Sequence, residues 1–417
     1  MKIIEYFNQK NSILRRSAFA LVLNIPPSLI ALLLNYFATR LSDQFGLFYL
    51  SISTINIIFA GSLILNLVIT ETCLNNSNKI NFDVEKYRNV LSKIISICIL
   101  IFIFLIPLSF ILNIYIKISF LLIISIIFSS IVSYVSEMGR VYLQCKDNFF
   151  LAGIYNIVWS LTRAIATLIV LSISSKIWIS IIFYGASSLL PFLFIYFRDI
   201  KYLKIKLNFF SNITIGAVKN SFNQNKYKLE FLSAYLCFAI FNFSELINTY
   251  LYLDELSLNI LSASLIVPKG IIVFSIPLVH IFYVTLIKTT KEKTYNFYKG
   301  IFAIVFFTLL ISLFFKITSN YYCGNDFGIS LCNQKYLFLA INNAVLLVVL
   351  RSLLVYLSEV KKLFSAYFFP ICIIMYFFYV NLSPLSVEKI LEIQFNFTVF
   401  LILTCFLKNF ISFKIKS

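Results

Sequence analysis

The chain has 417 residues, of which 60% are hydrophobic and 12% charged, and its formal net charge is +18. Soluble domains carry roughly 25% charged residues, so this composition excludes an ordinary water-soluble fold and requires lipid as the main solvent. The apolar runs reach about 20 residues without alternation, which is the length of a membrane helix and about twice that of a barrel strand.

Twelve apolar segments follow one another along the chain, and each is predicted to be a transmembrane helix. The first six span residues 17–38, 46–69, 91–112, 118–138, 149–171 and 177–197. The second six span residues 231–252, 258–287, 300–317, 336–357, 363–380 and 393–407. The predicted fold class is therefore an all-α polytopic membrane protein with about twelve helices in two groups of six.

The distribution of Lys and Arg predicts how these helices are oriented. With a cytoplasmic N-terminus, and with residues near helix ends counted in the adjoining segments, 27 of the 35 basic residues are cytoplasmic and only Arg163 and Lys269 are left inside helices. The external loops receive six, namely Arg40, Lys117, Lys176, Lys316, Lys335 and Lys389. Both termini are then cytoplasmic in a bacterial inner membrane. This orientation and attraction to anionic lipid headgroups explain the positive charge on the cytoplasmic side. We therefore expect membrane lipids as partners and do not expect nucleic acid.

The widest gap between helices, residues 198–230, is basic and divides the chain into two halves. We predict an N-terminal lobe of helices 1–6 at residues 1–197, a basic cytoplasmic linker at 198–230, and a C-terminal lobe of helices 7–12 at 231–417. Because six is even, both lobes enter the membrane from the cytoplasm, as parallel repeats do in several transporter folds.

Three ionisable side chains fall near the middle of predicted helices, where hydrocarbon makes them costly. Arg163 and Glu245 each lie about 14 residues, or ~21 Å, from the cytoplasmic end of their helix, and Lys269 lies about 11 residues from the external end. We expect them to meet in a central cleft. The structural alternative is a buried pair of Glu245 with either cation that only locks helices together. One acid cannot neutralise two cations, so Arg163 and Lys269, with Glu245, are the predicted substrate-binding residues for an anion.

A fourth acid, Glu137, lies three residues from Arg140 near the cytoplasmic end of the fourth predicted helix. Side chains at that spacing are neighbours on a helix surface. We therefore predict that Glu137 and Arg140 form an ordinary surface pair.

Prolines fall inside two of the predicted helices. Pro26 and Pro27 lie in the first helix, and Pro268 and Pro277 flank Lys269 in the eighth. A proline frees a backbone carbonyl one turn earlier, and a bilayer tolerates this only where protein or water satisfies that group. We predict that these four residues bend helices that line a cavity, while simple packing kinks are the alternative.

The longest external loop holds Cys323 and Cys332, on the oxidising side of a bacterial inner membrane. A disulfide between them and two free thiols are equally consistent with the sequence. The eight cysteines do not cluster and His280 is the only histidine, so no metal site and no catalytic residues are expected. No phosphate-binding loop is present, so nucleotide hydrolysis by that route is not expected.

The first external loop reads ATRLSDQFGLFYLSIS over residues 38–53 and resembles the start of polysaccharide transporters. These include O-antigen flippases of the multidrug/oligosaccharidyl-lipid/polysaccharide exporter (MOP) superfamily. The matching positions are Arg40, Leu41, Phe45, Gly46, Leu47 and Phe48. Ser42, Asp43 and Gln44 depart from the pattern, and VTLIK at 284–288 lacks a proline expected at the end of the eighth helix.

The resemblance implies a V-shaped pair of six-helix lobes that alternate between inward-open and outward-open states. It implies a substrate similar to an undecaprenyl-diphosphate-linked oligosaccharide, which a non-hydrolytic transporter moves across the membrane. No cofactor is implied, and the expected drive is a proton or sodium gradient, or consumption of the product outside. Polymerase and chain-length proteins of the same pathway are the expected protein partners.

Two other functions are compatible with so hydrophobic a chain. An O-antigen polymerase, which is a membrane glycosyltransferase, generally carries a large external loop, whereas the longest loop here has about 18 residues. A drug or ion antiporter of the same superfamily is the second alternative.

Overall fold

The computed structural model describes residues 13–59, 84–116, 118–146, 148–200, 226–288, 293–323, 331–359, 364–383 and 386–414, and every regular element in these ranges is helical. The first helices are α1 (Ile13–Leu41), α2 (Phe45–Phe59), α3 (Val84–Ile116), α4 (Phe120–Cys145), α5 (Phe149–Ile173), α6 (Ile177–Ala186) and α7 (Leu189–Ile195), the last followed by a π-helical turn (Tyr196–Ile200). The remaining helices are α8 (Lys226–Asn242), α9 (Ser244–Tyr252), α10 (Glu255–Lys288), α11 (Lys293–Ile317), α12 (Ser319–Tyr322), α13 (Gln334–Glu359), α14 (Phe364–Leu382) and α15 (Val387–Lys414).

The predicted fold class, an all-α polytopic membrane protein, is confirmed. Eight helical segments are long and apolar enough to cross a membrane, and four shorter apolar helices of 10–17 residues lie in α1, α2, α8 and α14. These segments correspond one to one with the twelve predicted from the sequence. Large apolar side chains point outward, such as Ile173 at 80% and Phe104 at 77% exposure. Only lipid can solvate such a surface.

Contacts divide the chain into two compact units. The first unit comprises residues Met1–Leu34 and Ser51–Leu229, and the second comprises Asn35–Leu50 and Glu230–Ser417. The second unit thus includes the first external loop together with the ends of the two helices that flank it. The lobe boundaries at 197 and 230 stay a prediction.

In the first unit, α4 is the central helix and packs against α3, α5, α6 and α7. Small residues allow a close approach, because a Cβ on Gly185 of α6 would lie 2.5 Å from the Cα of Ser129 on α4. Membrane helices use such contacts in place of a hydrophobic driving force. Bulky side chains, among them Tyr87, Met138 and Tyr142, fill the space nearer the end of α4.

In the second unit, α13 is the central helix and packs against α10, α11 and α15. Its core contains Phe241, Phe369 and Tyr376, each fully buried. Phe241 and Tyr376 meet edge to face, with 5.0 Å between ring centroids. This packing holds α8, α14 and α15 around the polar groups described below.

The loop between α1 and α2, predicted to be external, is held against α10 by one side chain. The Oδ1 atom of Asn259 accepts a hydrogen bond from the backbone N–H of Gly46 at 2.6 Å, and its Nδ2 donates to the carbonyl of Asp43 at 3.0 Å. A Cβ on Gly46 would lie 2.8 Å from Leu258 Cγ and 2.9 Å from the backbone nitrogen of Asn259. Glycine is therefore the residue that this approach requires.

Two segments that the sequence predicted as single helices are broken. Residues 177–197 divide into α6 and α7, and residues 231–252 divide into α8 and α9. At each break a serine hydroxyl donates to the carbonyl three residues earlier, Ser188 to Gly185 at 2.5 Å and Ser244 to Phe241 at 2.8 Å. These hydroxyls compete with backbone donors for the carbonyls. At the first break Pro191 also lacks the N–H that would bond the Ser187 carbonyl four residues earlier.

The four prolines of interest lie inside helices as predicted from the sequence. Pro26 and Pro27 lie within α1, and Pro268 and Pro277 fall within the range of α10. The side chain of Pro277 lies outside the described ones. That these residues bend their helices stays a prediction.

Candidate functional site

Lys269 and Glu245 form a buried ion pair at the break between α8 and α9. The exposed fractions of the two residues are 7% and 1%. Lys269 Nζ also donates to the carbonyl of Asn242 and, at 3.2 Å, to the Oδ1 atom of that residue. The ring centroid of Phe243 lies 4.9 Å from the ammonium.

The helix break explains why both charges are tolerated at this position. Asn242 is the last residue of α8, where unpaired carbonyls carry partial negative charge and favour a cation. Glu245 lies in the first turn of α9, where unpaired N–H groups favour an anion. One break therefore stabilises both members of the pair.

Gln394 of α15 holds the second oxygen of the Glu245 carboxylate. Its Nε2 donates to Glu245 Oε2 at 2.6 Å and to the carbonyl of Phe241 at 2.9 Å. Its Oε1 accepts from Nδ2 of Asn343, a residue of α13, at 3.0 Å. The carboxylate is thus fixed from two sides, by an ammonium and by an amide that is itself oriented.

A small cavity, with room for about one water molecule, adjoins this pair. Its polar lining consists of Glu245, Lys269, Asn343 and Gln394. The rest of the lining is Leu265, Pro268, Ile272, Ala340, Ala344 and Leu347. The Oδ1 atom of Asn343 is buried and accepts no hydrogen bond from the described residues. A buried acceptor without a donor is costly, so the cavity suits a bound water.

Arg163 lies in the first unit, on α5, and is 8% exposed. Its Nε donates to the carbonyl of Tyr184, in the last turn of α6, at 3.3 Å, and its NH2 group donates to Ser133 Oγ at 2.9 Å. The guanidinium carbon lies 3.9 Å from the ring centroid of Tyr184 and 4.5 Å from that of Trp159. Arg163 therefore lies against two aromatic rings beside the break between α6 and α7.

Among the described residues, every hydrogen-bond partner of Arg163 is neutral. The carboxylate that acts on it electrostatically belongs to Glu137 of α4, which forms its ion pair with Arg140 instead. Among the residues that the structure describes, the cations Arg163 and Arg140 thus share the carboxylate of Glu137. The pairing of Glu137 with Arg140 is as predicted, but the surface position is wrong. Glu137 is 1% exposed because α4 is the central helix of its unit.

The structure brings together two of the three residues predicted to bind substrate, Glu245 and Lys269. Arg163 belongs to the other unit, and the meeting of all three in one cleft stays a prediction. Gln394 and Asn343 were not predicted, because neutral amides in an apolar helix carry no charge that would mark them. They lie on the facing sides of two separate helices, α15 and α13, so no local spacing connects them.

A further cation, Arg351, lies inside α13, within the helix predicted at residues 336–357. It donates a hydrogen bond to the hydroxyl of Tyr235 on α8 and lies 5.4 Å from the ring centroid of that residue. The helix runs to Glu359, eight residues beyond Arg351, so the charge lies nearer the end of the helix than Lys269 does in α10.

Cys323 and Cys332, in the loop between α12 and α13, are paired as a disulfide with their Cα atoms 5.0 Å apart. Five further cysteines are free in the described ranges, at 98, 145, 237, 372 and 405. Those ranges contain no group of three His, Cys, Asp or Glu side chains suited to a metal ion.

Comparison with solved structures shows the same fold in MATE transporters. An outward-facing MATE family multidrug transporter of the MOP superfamily is 12% identical, with a TM-score of 0.56 over 100% of this chain and 99% of its own. An inward-facing one is 13% identical, with a TM-score of 0.57 over 96% and 95%. A MOP superfamily transporter from Pyrococcus furiosus is 13% identical, with a TM-score of 0.57 over 94% and 95%.

No family profile matches the sequence. No curated protein matches it either. Identities this low establish the fold alone, and the chain has the fold of MATE transporters of the MOP superfamily.

Proposed function

We propose that the protein is a flippase that moves an undecaprenyl-diphosphate-linked oligosaccharide, a repeat unit of O-antigen or a similar surface polysaccharide, across the bacterial inner membrane. The observation that carries this proposal is Arg163, a buried cation in a membrane helix whose described hydrogen-bond partners are all neutral. The cost of such a charge is offset when an anion binds to it.

The chemistry of the substrate fits this arrangement. Sugar hydroxyls and a diphosphate cannot cross ~30 Å of hydrocarbon unaided. A guanidinium replaces water around phosphate oxygens through charge-assisted hydrogen bonds, and its planar fork suits two of them at once. Arg163 and Lys269 contact the diphosphate in this proposal, while the lipid tail stays in the bilayer.

Transport proceeds by alternating access, in which the site opens first to one side of the membrane and then to the other. A proton or sodium gradient, or consumption of the exported unit outside, supplies the driving force for transport. The polymerase and chain-length proteins of the same pathway are the partners that receive the exported unit.

The test uses purified protein in liposomes with a fluorescent undecaprenyl-diphosphate-linked oligosaccharide. An external probe reports how much of the labelled substrate has crossed. We expect Arg163→Gln to lower the initial rate by about 10- to 100-fold, since a charged hydrogen bond is worth roughly 1.5–3 kcal/mol. Arg163→Lys retains part of the rate, because it keeps the charge but loses the fork.

Two matched controls accompany this test. Lys316→Gln removes an exposed cation that bonds Asn342 at the end of α11, and it should leave the rate unchanged. Circular dichroism and size-exclusion profiles should show that Arg163→Gln inserts and folds normally. Normal flipping by both Arg163 variants would contradict the proposal.

The rival functions give different results in the same liposomes. A polymerase lengthens the oligosaccharide, whereas a flippase forms no glycosidic bond. A drug antiporter exchanges organic cations for protons or sodium. In the Pyrococcus furiosus neighbour, reverse polarity of the binding pocket suggests a different function for that protein. In this protein the buried cations Arg163 and Lys269 favour an anionic substrate over a cationic drug.

Reporter fusions test the proposed location, with both termini in the cytoplasm. Fusions at Asp254 and Asp326 should report an external position, and fusions at Asn212 and Lys291 a cytoplasmic one. The charge distribution motivates this orientation. An external signal at Asn212 would overturn it.

A further inference from the structure

Lys269 differs from Arg163 in that its charge is already balanced. Its ammonium contacts the Glu245 carboxylate, the Asn242 carbonyl and the amide oxygen of the same residue. An ammonium has three N–H donors, and all three acceptors lie within reach. No donor remains for a phosphate oxygen unless one of these contacts is given up.

Giving up the contact with Glu245 has a consequence for the carboxylate. Glu245 is 1% exposed, and Gln394 supplies only a neutral donor to its other oxygen. A buried carboxylate that loses its cation is strongly destabilised. A proton removes that cost, because a neutral carboxylic acid can remain beside Gln394 without a charged partner.

None of the other described groups around the pair can neutralise the Glu245 carboxylate in place of this proton. From α2 the phenol of Tyr49 acts electrostatically on Glu245, and from α14 the phenol of Tyr376 does the same. From α13 and α15 the facing side chains are the amides of Asn343 and Gln394, and from α8 the amide of Asn242. In the described ranges no second carboxylate and no second cation is paired with Glu245 or Lys269.

The cavity beside the pair has room for a water that could deliver the proton. Such a water would donate one hydrogen bond to the unpartnered Oδ1 of Asn343 and the other to the Glu245 carboxylate. The same cavity lies beside Pro268, where α10 lacks one backbone N–H donor.

We propose that Lys269 binds the anionic headgroup only when Glu245 has taken up a proton, so that each anion bound in the second unit brings one proton with it. This inference rests on the proposed function for the nature of the anion. The balance is simple: one proton passes from bulk water through the cavity to a Glu245 oxygen, Lys269 keeps its own proton, and both steps reverse on release. The proton and the anion then move in the same direction.

The experiment measures binding of inorganic pyrophosphate to the full-length protein in nanodiscs by calorimetry between pH 5 and pH 9. Where Glu245 is ionised in the free protein, the dissociation constant should rise about tenfold per pH unit beyond the titration of pyrophosphate itself. Glu245→Gln removes the linkage, so the extra slope should vanish and binding at pH 9 should be at least about tenfold tighter than in wild type.

Proton uptake gives a second readout. Titrations in buffers of different ionisation enthalpy should show one more proton taken up by wild type than by Glu245→Gln. Lys269→Met should lose the linked binding. The neutral double variant Glu245→Gln/Lys269→Met, which leaves no buried charge unpaired, should fold normally and also lack the linked binding.

Three outcomes would overturn the inference. Equal slopes in wild type and Glu245→Gln would show that the acid does not gate the anion. Unchanged binding in the double variant would place the anion at Arg163 alone. Absence of pyrophosphate binding at every pH would show that Lys269 holds no anion. Flipping of the lipid-linked oligosaccharide by wild type in liposomes tests the proposed function separately from all three.

Discussion

Arg163 in the first unit and Lys269 in the second each bind a backbone carbonyl at the end of a broken helix. Tyr184 offers that carbonyl in α6, and Asn242 offers it in α8. Aromatic rings lie against both cations. The difference is the counter-charge, since Lys269 pairs with Glu245 whereas the described partners of Arg163 are neutral.

This comparison separates two roles that a charge inside a membrane helix can have. A helix end makes a buried cation tolerable wherever its carbonyls are free. A carboxylate beside that cation decides whether its charge is already balanced or is open to a ligand. Under the two proposals, the same local arrangement would give a standing anion site at Arg163 and a conditional one at Lys269.

The largest expected effect is that of breaking the charge pair. Lys269→Met should lower the free energy of unfolding by about 3–5 kcal/mol, because it leaves Glu245 buried without a cation. Arg163→Met should cost only about 1–2 kcal/mol, since it removes contacts with two rings but strands no partner of opposite charge. Denaturant titration in detergent micelles measures both. Equal losses in the two variants would remove the basis of the comparison.

The second prediction concerns the break between α6 and α7. Gly185→Ala should destabilise the protein by about 1–3 kcal/mol, because the new Cβ would lie 2.5 Å from the Cα of Ser129, and a backbone atom cannot move aside easily. Gly139→Ala is the matched control, since its Cβ would meet only the ring of Tyr155. The control should lose less stability, and thermal unfolding of both variants decides the order.

The third prediction concerns the support of Glu245. Gln394→Leu removes the amide that donates to the carboxylate and should cost about 1–3 kcal/mol. Gln394→Glu should be worse, because it places a second acid beside the first. An increase in stability for Gln394→Glu at neutral pH would show that the pair has a surplus of positive charge.

The smallest effect is expected at the start of α10. Asp254 accepts a hydrogen bond from the backbone N–H of Ser257 at 3.0 Å, and bonds from Ser257 hold the pKa of this exposed carboxyl below its usual value. A lowered pKa in the folded state stabilises the protein above the unfolded pKa of about 3.9, and the gain disappears as pH falls through the folded pKa. Asp254→Ala should therefore lower the unfolding temperature slightly at pH 7 and not at pH 3.

Much of the fold was predictable because a membrane helix is defined by its length and by the absence of charge. Within the described residues each of the twelve apolar segments is helical, two of them with a break, and the residues expected in mid-membrane are buried. The ion pair of Glu245 with Lys269 was one of the alternatives that the sequence left open. Glu245 pairs with Lys269 and not with Arg163 because of which helices belong to the same unit. No local sequence pattern encodes that grouping.

The two helix breaks were not predicted, although one of them has a local signal. Pro191 lies four residues after Ser187 and lacks the N–H that would bond the Ser187 carbonyl. The break at Phe243 has no glycine or proline nearby. A serine hydroxyl bonds the carbonyl three residues earlier at each break, but Ser109 and Ser275 do the same inside α3 and α10 without ending the helix. This bond alone therefore does not encode a break.

The clamp that Asn259 places on the first external loop bears on how this loop tolerates mutation. The amide forms its two hydrogen bonds with main-chain atoms, the carbonyl of Asp43 and the N–H of Gly46. Substitutions at positions 42–44 leave those atoms in place, and these are the positions at which the loop departs from the polysaccharide-transporter pattern. Gly46 does not tolerate substitution, because any side chain would collide with α10. The rest of the loop can therefore change in sequence and still keep its hydrogen bonds to Asn259, provided that Gly46 is retained.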